Sequence, residues 1–500
     1  MKVGRAILAA LVAVVLSSAL LAAAASAQAV PLAAKPNIVF VLTDDLSWDL
    51  VDYMPNVRQL RREGVTFSNY IVTDSLCCPS RASILTGKYP HNTGIYRNTG
   101  ADGGFLAFRD RGQEQQTFAT ALAAQGYRTS LMGKYMNQYN PKSVRDDLGA
   151  PYVPPGWTDW QGVGNGYPGY GYRMVRDARV VRRGHRARDY LTTVLRRDAV
   201  GFVRDAVGNG QPFMLELASF APHTPATPAP RDRGRFADVT APRTAAFDEQ
   251  DLSDKPGWLS GHRRLTFAQQ ERIDAHFRKR VRSVQAVDRA LGRIRRELRQ
   301  LGVERNTYVV FSSDNGFHMG QHRLTPGKLT AYDPDVRVPL IVAGPGVPAG
   351  ATVEEIAENV DLCPTFSELG GAAVPATVDG RSLVPFLRGG PAPADWRTAA
   401  LVEHRGAVTA PDDPDFPARG SGNPPTYEAL RTRDRLYVEY ADGEREFYDR
   451  RVDPEELDNI VDELSPERLE RLAASVQAMR TCVGVGCRQA ARLGVESPLP

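Results

Sequence analysis

Ile38-Val39-Phe40-Val41-Leu42, preceded by Asn37 and running into Thr43-Asp44-Asp45, is an apolar stretch that ends on two carboxylates. A strand with a polar residue on neither face is one covered on both, as in a parallel sheet. The pattern recurs in Phe213 to Leu217 before His223, and in Thr307 to Phe311 before Ser312-Ser313-Asp314-Asn315-Gly316. Val338 to Val342 follows and stops at Gly344-Pro345-Gly346. Helical periods separate these runs, so the expected fold is α/β, a large mixed, mostly parallel sheet flanked by helices. In such sheets ligands bind beyond the carboxyl ends of the strands, where the polar residues sit here.

Working outward, the pattern breaks after Gly380-Arg381-Ser382-Leu383-Val384-Pro385-Phe386-Leu387, at Gly389, Gly390, Pro391 and Pro393. This divides a domain over 28–388 from a smaller C-terminal α+β domain over 389–500. Within the latter, Leu436 to Tyr440, Asp442-Gly443 and Glu446 to Tyr448 read as a hairpin of an antiparallel sheet. Leu457 to Met479 reads as a helical tail interrupted at Pro466. At the other end, Lys2 and Arg5 precede an apolar run from Ala6 to Ala25 and the small-x-small triplet Ala25-Ser26-Ala27. Residues 1–27 are thus expected to be a cleaved secretory signal peptide, leaving a secreted chain with no stable membrane insertion.

The chain of 500 residues carries 62 Lys+Arg, 58 Asp+Glu and 42% hydrophobic residues, which is globular and demands no nucleic-acid partner. In the basic stretch Arg278 to Arg299, Val284, Val287, Leu291, Ile294 and Leu298 recur at spacings of three and four. That is an amphipathic helix with its charges on the solvated face. Arg173 to Arg188 has no such period and reads as a surface loop, with a rim contacting an anionic substrate as the alternative.

Cys77-Cys78-Pro79-Ser80-Arg81, followed by Leu85-Thr86-Gly87-Lys88, carries the most chemistry. Alone, two adjacent cysteines in a secreted chain could be a structural pair. Alone, Asp-Asp or Asp-Asn-Gly is a turn or a helix cap. Two such pairs at strand ends are different: Asp44, Asp45, Asp314 and Asn315 offer hard oxygen ligands suited to Ca²⁺ or Mg²⁺. Zinc fits poorly, because no Cys/His cluster accompanies them.

Together these segments resemble the type I sulfatase family of the alkaline phosphatase superfamily. Gly133-Lys134-Tyr135-Met136-Asn137, Ala221-Pro222-His223, Gly327-Lys328, Tyr448-Asp449 and Asp453-Pro454-Glu455-Glu456 match further family segments. Tyr152 to Trp157 and Phe317-His318-Met319-Gly320-Gln321 are most similar to N-acetylglucosamine-6-sulfatases and heparan endosulfatases. The resemblance implies that Cys77 is converted to formylglycine by a formylglycine-generating enzyme. It implies that the hydrated aldehyde, with Asp44, Asp45, Asp314 and Asn315, holds Ca²⁺ (Mg²⁺ as alternative), and that one of its oxygens attacks sulfur. Arg81 would hold the hydrate, Lys134 and Lys328 the sulfate oxygens, and His223 would be the acid at the leaving group. Many arylsulfatases have a histidine two residues after the segment's lysine; here Met136 stands there, and His318 is the expected substitute. His91 and His322 are further candidates for substrate contacts, and Arg337 an ion-pair partner.

The implied function is hydrolysis of sulfate monoesters, with a sulfated sugar or another sulfated small molecule as substrate. Two alternatives stay open: a phosphonate monoester or phosphodiester hydrolase of the same superfamily, or a non-catalytic sulfated-glycan binder if Cys77 stays a thiol. Of five cysteines, Cys482 and Cys487 are expected to form a small disulfide loop, eased by Gly484 and Gly486. Cys78 and Cys363 are expected to be buried free thiols.

Overall fold

The computed structural model describes residues 35–406, 410–411 and 413–492; the expected signal peptide lies outside them. Eight strands form the main sheet: β1 (Asn37–Asp44), β2 (Val65–Phe67), β3 (Arg128–Gly133), β4 (Asp159–Gly162), β5 (Phe213–Pro222), β6 (Thr307–Ser313), β7 (Leu340–Ala343) and β8 (Ala351–Val353). Their order is β8-β2-β7-β6-β1-β5-β3-β4. Every pairing is parallel except the two made by β7. The expected mixed, mostly parallel sheet is therefore present. The Val338–Val342 run differs from its neighbours: it enters the sheet as a strand antiparallel to both β6 and β2.

All eight residues of β1 are buried, and alternate side chains go to different cores. Ile38, Phe40 and Leu42 join the side chains of α1 (Cys77–Thr86), α2 (Phe118–Ala124) and α5 (Leu362–Leu369). Val39 and Val41 join those of α3 (Leu191–Gly208) and α4 (Phe267–Gln300). The central strand is apolar on both faces because both faces are roofed by helices. Helix α4 contains the expected amphipathic stretch and starts at a capping box, with Thr266 and Gln269 exchanging side-chain-to-backbone hydrogen bonds.

The Arg173–Arg188 segment departs from the expected loop. Arg173–Arg176 and Arg179–Arg182 form a two-stranded antiparallel hairpin, whose buried Met174 and Val175 supply the apolar anchor. Toward the C-terminus, β9 (Ala399–His404), β10 (Tyr427–Thr432), β11 (Arg435–Tyr440) and β12 (Arg445–Asp449) form an antiparallel sheet in sequential order. The β11–β12 hairpin is the expected one, and α6 (Pro466–Arg480) starts at the proline read as an interruption. Cys482 and Cys487 form a disulfide; Cys77, Cys78 and Cys363 are free and buried.

Candidate active site

Sheet register builds the site. Thr43 of β1 pairs with Ser313 of β6, so Asp44 and Asp314 leave the sheet side by side. Asp44 also pairs with Pro222 at the end of β5, which delivers His223. Gly133 of β3 pairs with Ala218 of β5, which puts Lys134 at the same rim. Four adjacent strands thus end on charged side chains.

Cys77 is the first residue of α1, and the first turn of that helix is fastened to the β6 end. Ser80 Oγ donates to the Asp314 carbonyl, and Arg81 Nε to Asp314 Oδ2 at 2.8 Å. Arg81 also donates to the Lys134 carbonyl at 3.1 Å. Helix α1 ends at Gly87 in the left-handed conformation, φ 72°, where its N–H donates to the Ser83 carbonyl.

Around Cys77 the charges interlock. Its Sγ lies 3.2 Å from Asp44 Oδ1 and 3.0 Å from Lys328 Nζ. Lys134 Nζ reaches both Asp44 oxygens, at 2.9 and 2.8 Å, and Lys328 Nζ reaches Asp45 Oδ1 at 2.6 Å. Burial alone would raise the pKa of Asp44, but Lys134, His223, Arg81 and Lys328 outweigh it and hold the carboxyl well below the usual range. Asp314 goes the other way: burial lifts it to about 6 although Arg81 opposes the rise. Burial, with Asp415 and Asp44 beside it, pushes the Cys77 thiol well above its ordinary value. An unmodified thiol at this position is therefore a poor nucleophile.

The donor set fits a hard divalent cation. One ligand atom each from Asp44, Asp45, Cys77 and His223 fall within 4.8 Å of one another. Asn315 donates through Nδ2 to Asp45 Oδ1 at 2.8 Å, while its buried Oδ1 has no hydrogen-bond partner. An orphaned amide oxygen among carboxylates is what a cation ligand looks like before the cation is counted. Asp45 itself takes a left-handed backbone, φ 67°, an uncommon conformation that its carbonyl's bond from the Arg280 guanidinium helps to hold.

His223 is held between two acceptors. Its Nδ1 lies 2.7 Å from the Thr224 carbonyl and its Nε2 lies 2.7 Å from Asp415 Oδ1. A carbonyl cannot donate and a carboxylate accepts, so both ring nitrogens carry protons. Burial pulls the His223 pKa down, but Asp45, Asp415 and Asp44 more than compensate and leave it raised. Tyr167 packs its ring 4.3 Å from that of His223 and lies under Lys134 Nζ at 5.1 Å. A cavity of about 560 Å³ opens here, walled by Lys134, Met136, Tyr167, Arg173, Phe220 and Pro414. That is the size of a small-molecule site.

The structure brings together Asp44, Asp45, Cys77, Arg81, Lys134, His223, Asp314, Asn315 and Lys328. His318 stands apart from them in its bonding: Asp335 takes Nδ1 at 2.9 Å and the Ser421 carbonyl faces Nε2 at 3.0 Å. His91 is engaged by Glu403 and His322 by Glu249, and Arg337 pairs with Asp333 as expected. Sequence reasoning missed Asp415, which bridges His223 and Lys328 Nζ (2.8 Å) and accepts from Asn98 Nδ2 at 2.6 Å. It sits in a Pro/Asp-rich loop with no motif to mark it. Tyr167 lay inside the long Gly162–Arg188 connection, whose length was its only signal.

Residues 36–372 match the family model described as Sulfatase. The chain belongs to the sulfatase family. As a sulfatase it is a sulfuric ester hydrolase, and residues 320–481 match a second model, N-sulphoglucosamine sulphohydrolase, C-terminal. Among curated sulfatases, the N-acetylglucosamine-6-sulfatase of Homo sapiens is 34% identical over 481 residues, covering 91% of this chain and 86% of that protein. Among solved structures, BT4656 in complex with its substrate D-glucosamine-2-N,6-O-disulfate superposes with a TM-score of 0.71 at 25% identity, over 89% of this chain and 97% of that one. A phosphonate monoester hydrolase from Silicibacter pomeroyi shares the fold, with a TM-score of 0.66 at 24% identity over 89% of this chain and 94% of that one. No helix among the described residues of this sulfatase is long and apolar enough to cross a membrane.

Proposed function

We propose that this sulfatase is secreted and removes sulfate from sulfated sugars, 6-O-sulfated glucosamine units in particular, using Cys77 as formylglycine and Ca²⁺ as its metal. The observation that carries this reading is Cys77 at the head of α1, between the Asp44 carboxylate and the Lys328 ammonium. The Sγ contacts stand in for those of the aldehyde-derived oxygens. Formylglycine supplies an oxygen nucleophile plus a second hydroxyl that allows the sulfate to be released, which neither cysteine nor serine offers. A divalent cation, which Asp44, Asp45, Asp314 and Asn315 would hold, would supply a lowered hydroxyl pKa.

The chain's own residues do the rest. Arg81, fixed by Asp314 and the Lys134 carbonyl, is placed to orient the residue-77 oxygens. Lys134 and Lys328 approach from two sides and neutralise the charge on a sulfate group. His223 keeps its Nδ1 proton on Thr224 and has its Nε2 proton available for the leaving alcohol oxygen. Tyr167 and Phe220 give the adjoining cavity apolar walls against which a sugar ring can lie while polar neighbours reach its hydroxyls. The names of the N-acetylglucosamine-6-sulfatase relative and of the disulfated glucosamine in BT4656 favour a 6-O-sulfated amino sugar. Secretion is supported by the N-terminal pattern and by the Cys482–Cys487 disulfide, which persists in an oxidising compartment.

The test is a panel of sulfated monosaccharides differing in sulfate position, with a phosphonate monoester beside it. Highest kcat/KM on 6-O-sulfated glucosamine is expected. No turnover of that sugar, or faster turnover of the phosphonate, overturns the substrate assignment. Mass spectrometry of the tryptic peptide Glu63–Arg81 from the native host reads the Cys77 conversion directly, and a wholly alkylatable thiol refutes it.

A further inference from the structure

Asn137 is a buried residue of the cavity wall that the reaction at Cys77 leaves unused. It lies three residues beyond Lys134 in the segment that leaves β3 at Gly133, and it lines the active-site cavity beside Lys134, Met136 and Tyr167. Its main chain is fastened on both sides: the N–H donates to Cys78 Sγ at 3.1 Å, and the carbonyl accepts from the Phe105 N–H at 2.9 Å. The tyrosines before and after it are tied as well. Tyr135 Oη donates to Glu114 Oε1 at 2.8 Å, and Tyr139 Oη to the Tyr152 carbonyl at 3.1 Å. The cavity wall therefore keeps its place without help from the Asn137 side chain.

That side chain has no bond of its own. Asn137 is 7% exposed, and neither Nδ2 nor Oδ1 has a hydrogen-bond partner among the described residues. A carboxamide brings two donors and an acceptor. Leaving them unmade in a buried place destabilises the fold, whereas an apolar side chain of similar size fills the space without that penalty. Buried polar groups are paired as a rule, and an exception that no local contact offsets belongs to function. The neighbouring groups cannot do the same work: Met136 has only a weak thioether acceptor, Gln138 and Asn140 stand in solvent, and both His318 ring nitrogens are occupied.

We propose that Asn137 is a specificity-determining residue whose carboxamide binds the alcohol half of the substrate, Nδ2 donating to one oxygen and Oδ1 accepting from a neighbouring hydroxyl or amide N–H. The alcohol it selects carries a donor and an acceptor side by side, as a sugar ring does and a plain aromatic ring does not. A site built to pair with a substrate hydroxyl rejects the analogue that lacks it far more strongly than a site shaped by packing, because the protein's own polar atoms are then left unpaired. Tyr167 and Phe220 supply the packing in this cavity, and Asn137 supplies the pairing. A sugar as the bound alcohol rests on the sulfated-sugar reading above.

The experiment compares kcat/KM on 6-O-sulfated glucosamine and on 4-nitrophenyl sulfate, whose ring carries no hydroxyl, for wild type, Asn137→Ala and Asn137→Leu. The preference for the sugar over the aryl ester is expected to fall roughly 10- to 100-fold in both variants, mostly through a raised KM for the sugar. Thermal melting is the second readout. Removing an unpaired buried amide is expected to raise the melting temperature of Asn137→Leu, where a side chain kept for structure would lower it in both variants. Equal losses on the two esters overturn the assignment, as does an unchanged preference or a melting temperature lowered in both variants. The substrate reading fails separately, on the wild type: if 6-O-sulfated glucosamine is not turned over, the sugar arm takes the panel monosaccharide that wild type hydrolyses fastest, and the same preference decides the role of Asn137. A wild type that turns over the aryl ester and none of the sugars overturns the assignment outright.

Discussion

Asp415 Oδ1 lies 2.7 Å from His223 Nε2, the atom proposed above to protonate the leaving group, and the same oxygen lies 2.8 Å from Lys328 Nζ. The carboxylate does two opposing things: it stabilises the imidazolium, and it occupies the cationic position a sulfate oxygen would take. His223 has a folded pKa above its ordinary 6.5. Its protonated form is complete below that ordinary value and is lost as pH rises through the raised one, so the alkaline limb of kcat/KM lies above 6.5. Asp415→Asn removes one of the charges that raise it. The limb is expected to move toward lower pH by roughly one unit, while KM falls because the competing carboxylate is gone. A pH–rate profile on a sulfate ester checks both, and an unmoved limb refutes the pairing.

The two adjacent cysteines should behave differently. Cys77→Ala is expected to cost roughly 10⁴-fold or more in kcat, as removal of a covalent nucleophile does. Cys78 has another role: its Sγ accepts from the Asn137 N–H at 3.1 Å, and its own N–H donates to Asn98 Oδ1 at 3.0 Å. Serine keeps an acceptor there, so Cys78→Ser should retain measurable turnover with a lowered melting temperature. Steady-state kinetics on both variants, with circular dichroism as a folding control, separates the assignments.

How much of this was legible in the sequence depends on the range of the interaction. The strands that lead to Asp44, His223 and Asp314 announced themselves by short, mostly apolar runs that stop at polar residues, although the second carries a buried Glu216. β7 was legible as a strand but not in direction, since a buried antiparallel strand has the same composition as a parallel one. The hairpin at Arg173 was obscured because its strands are four residues each and its charges hide the Met174–Val175 anchor. Asp415 was out of reach altogether. Its distance in sequence from His223 is 192 residues, and nothing in Asp413-Pro414-Asp415 marks it as more than a turn. His318 was a candidate by its position beside Asp314-Asn315-Gly316, and its partners, Asp335 and the Ser421 carbonyl, were as far out of reach in the sequence as Asp415.

Chelation should act on stability as well as on turnover. Asp44, Asp45 and Asp314 are all buried together with the unpartnered Asn315 Oδ1. A cation binding only the folded chain stabilises it by about 2.7 kcal/mol at one hundred times its dissociation constant. Treatment with a chelator is expected to abolish turnover and lower the melting temperature, with Ca²⁺ restoring both. Asn315→Ala should demand a higher Ca²⁺ concentration for the same melting temperature. Identical Ca²⁺ titrations of variant and wild type would exclude Asn315 as a ligand.

Gly133 links the sheet to Lys134 and cannot carry a side chain. It adopts φ 122°, and a Cβ there would sit 1.8 Å from the Ala218 carbonyl oxygen of the neighbouring strand. The obstacle is backbone on both sides, so no rotamer relieves it; β3 must move away from β5. Lys134 follows Gly133 directly, and its own N–H donates to that same Ala218 carbonyl at 2.9 Å. Gly133→Ala therefore strains a left-handed residue and displaces a hydrogen bond, at an expected cost of about 3 kcal/mol. It should also swing the Lys134 ammonium off Asp44, so that kcat/KM falls by roughly 10²-fold in the fraction that remains folded. Denaturant titration and kinetics on the same preparation measure the two effects. Loss of stability with full specific activity would mean that Lys134 reaches its place independently of the β3–β5 register.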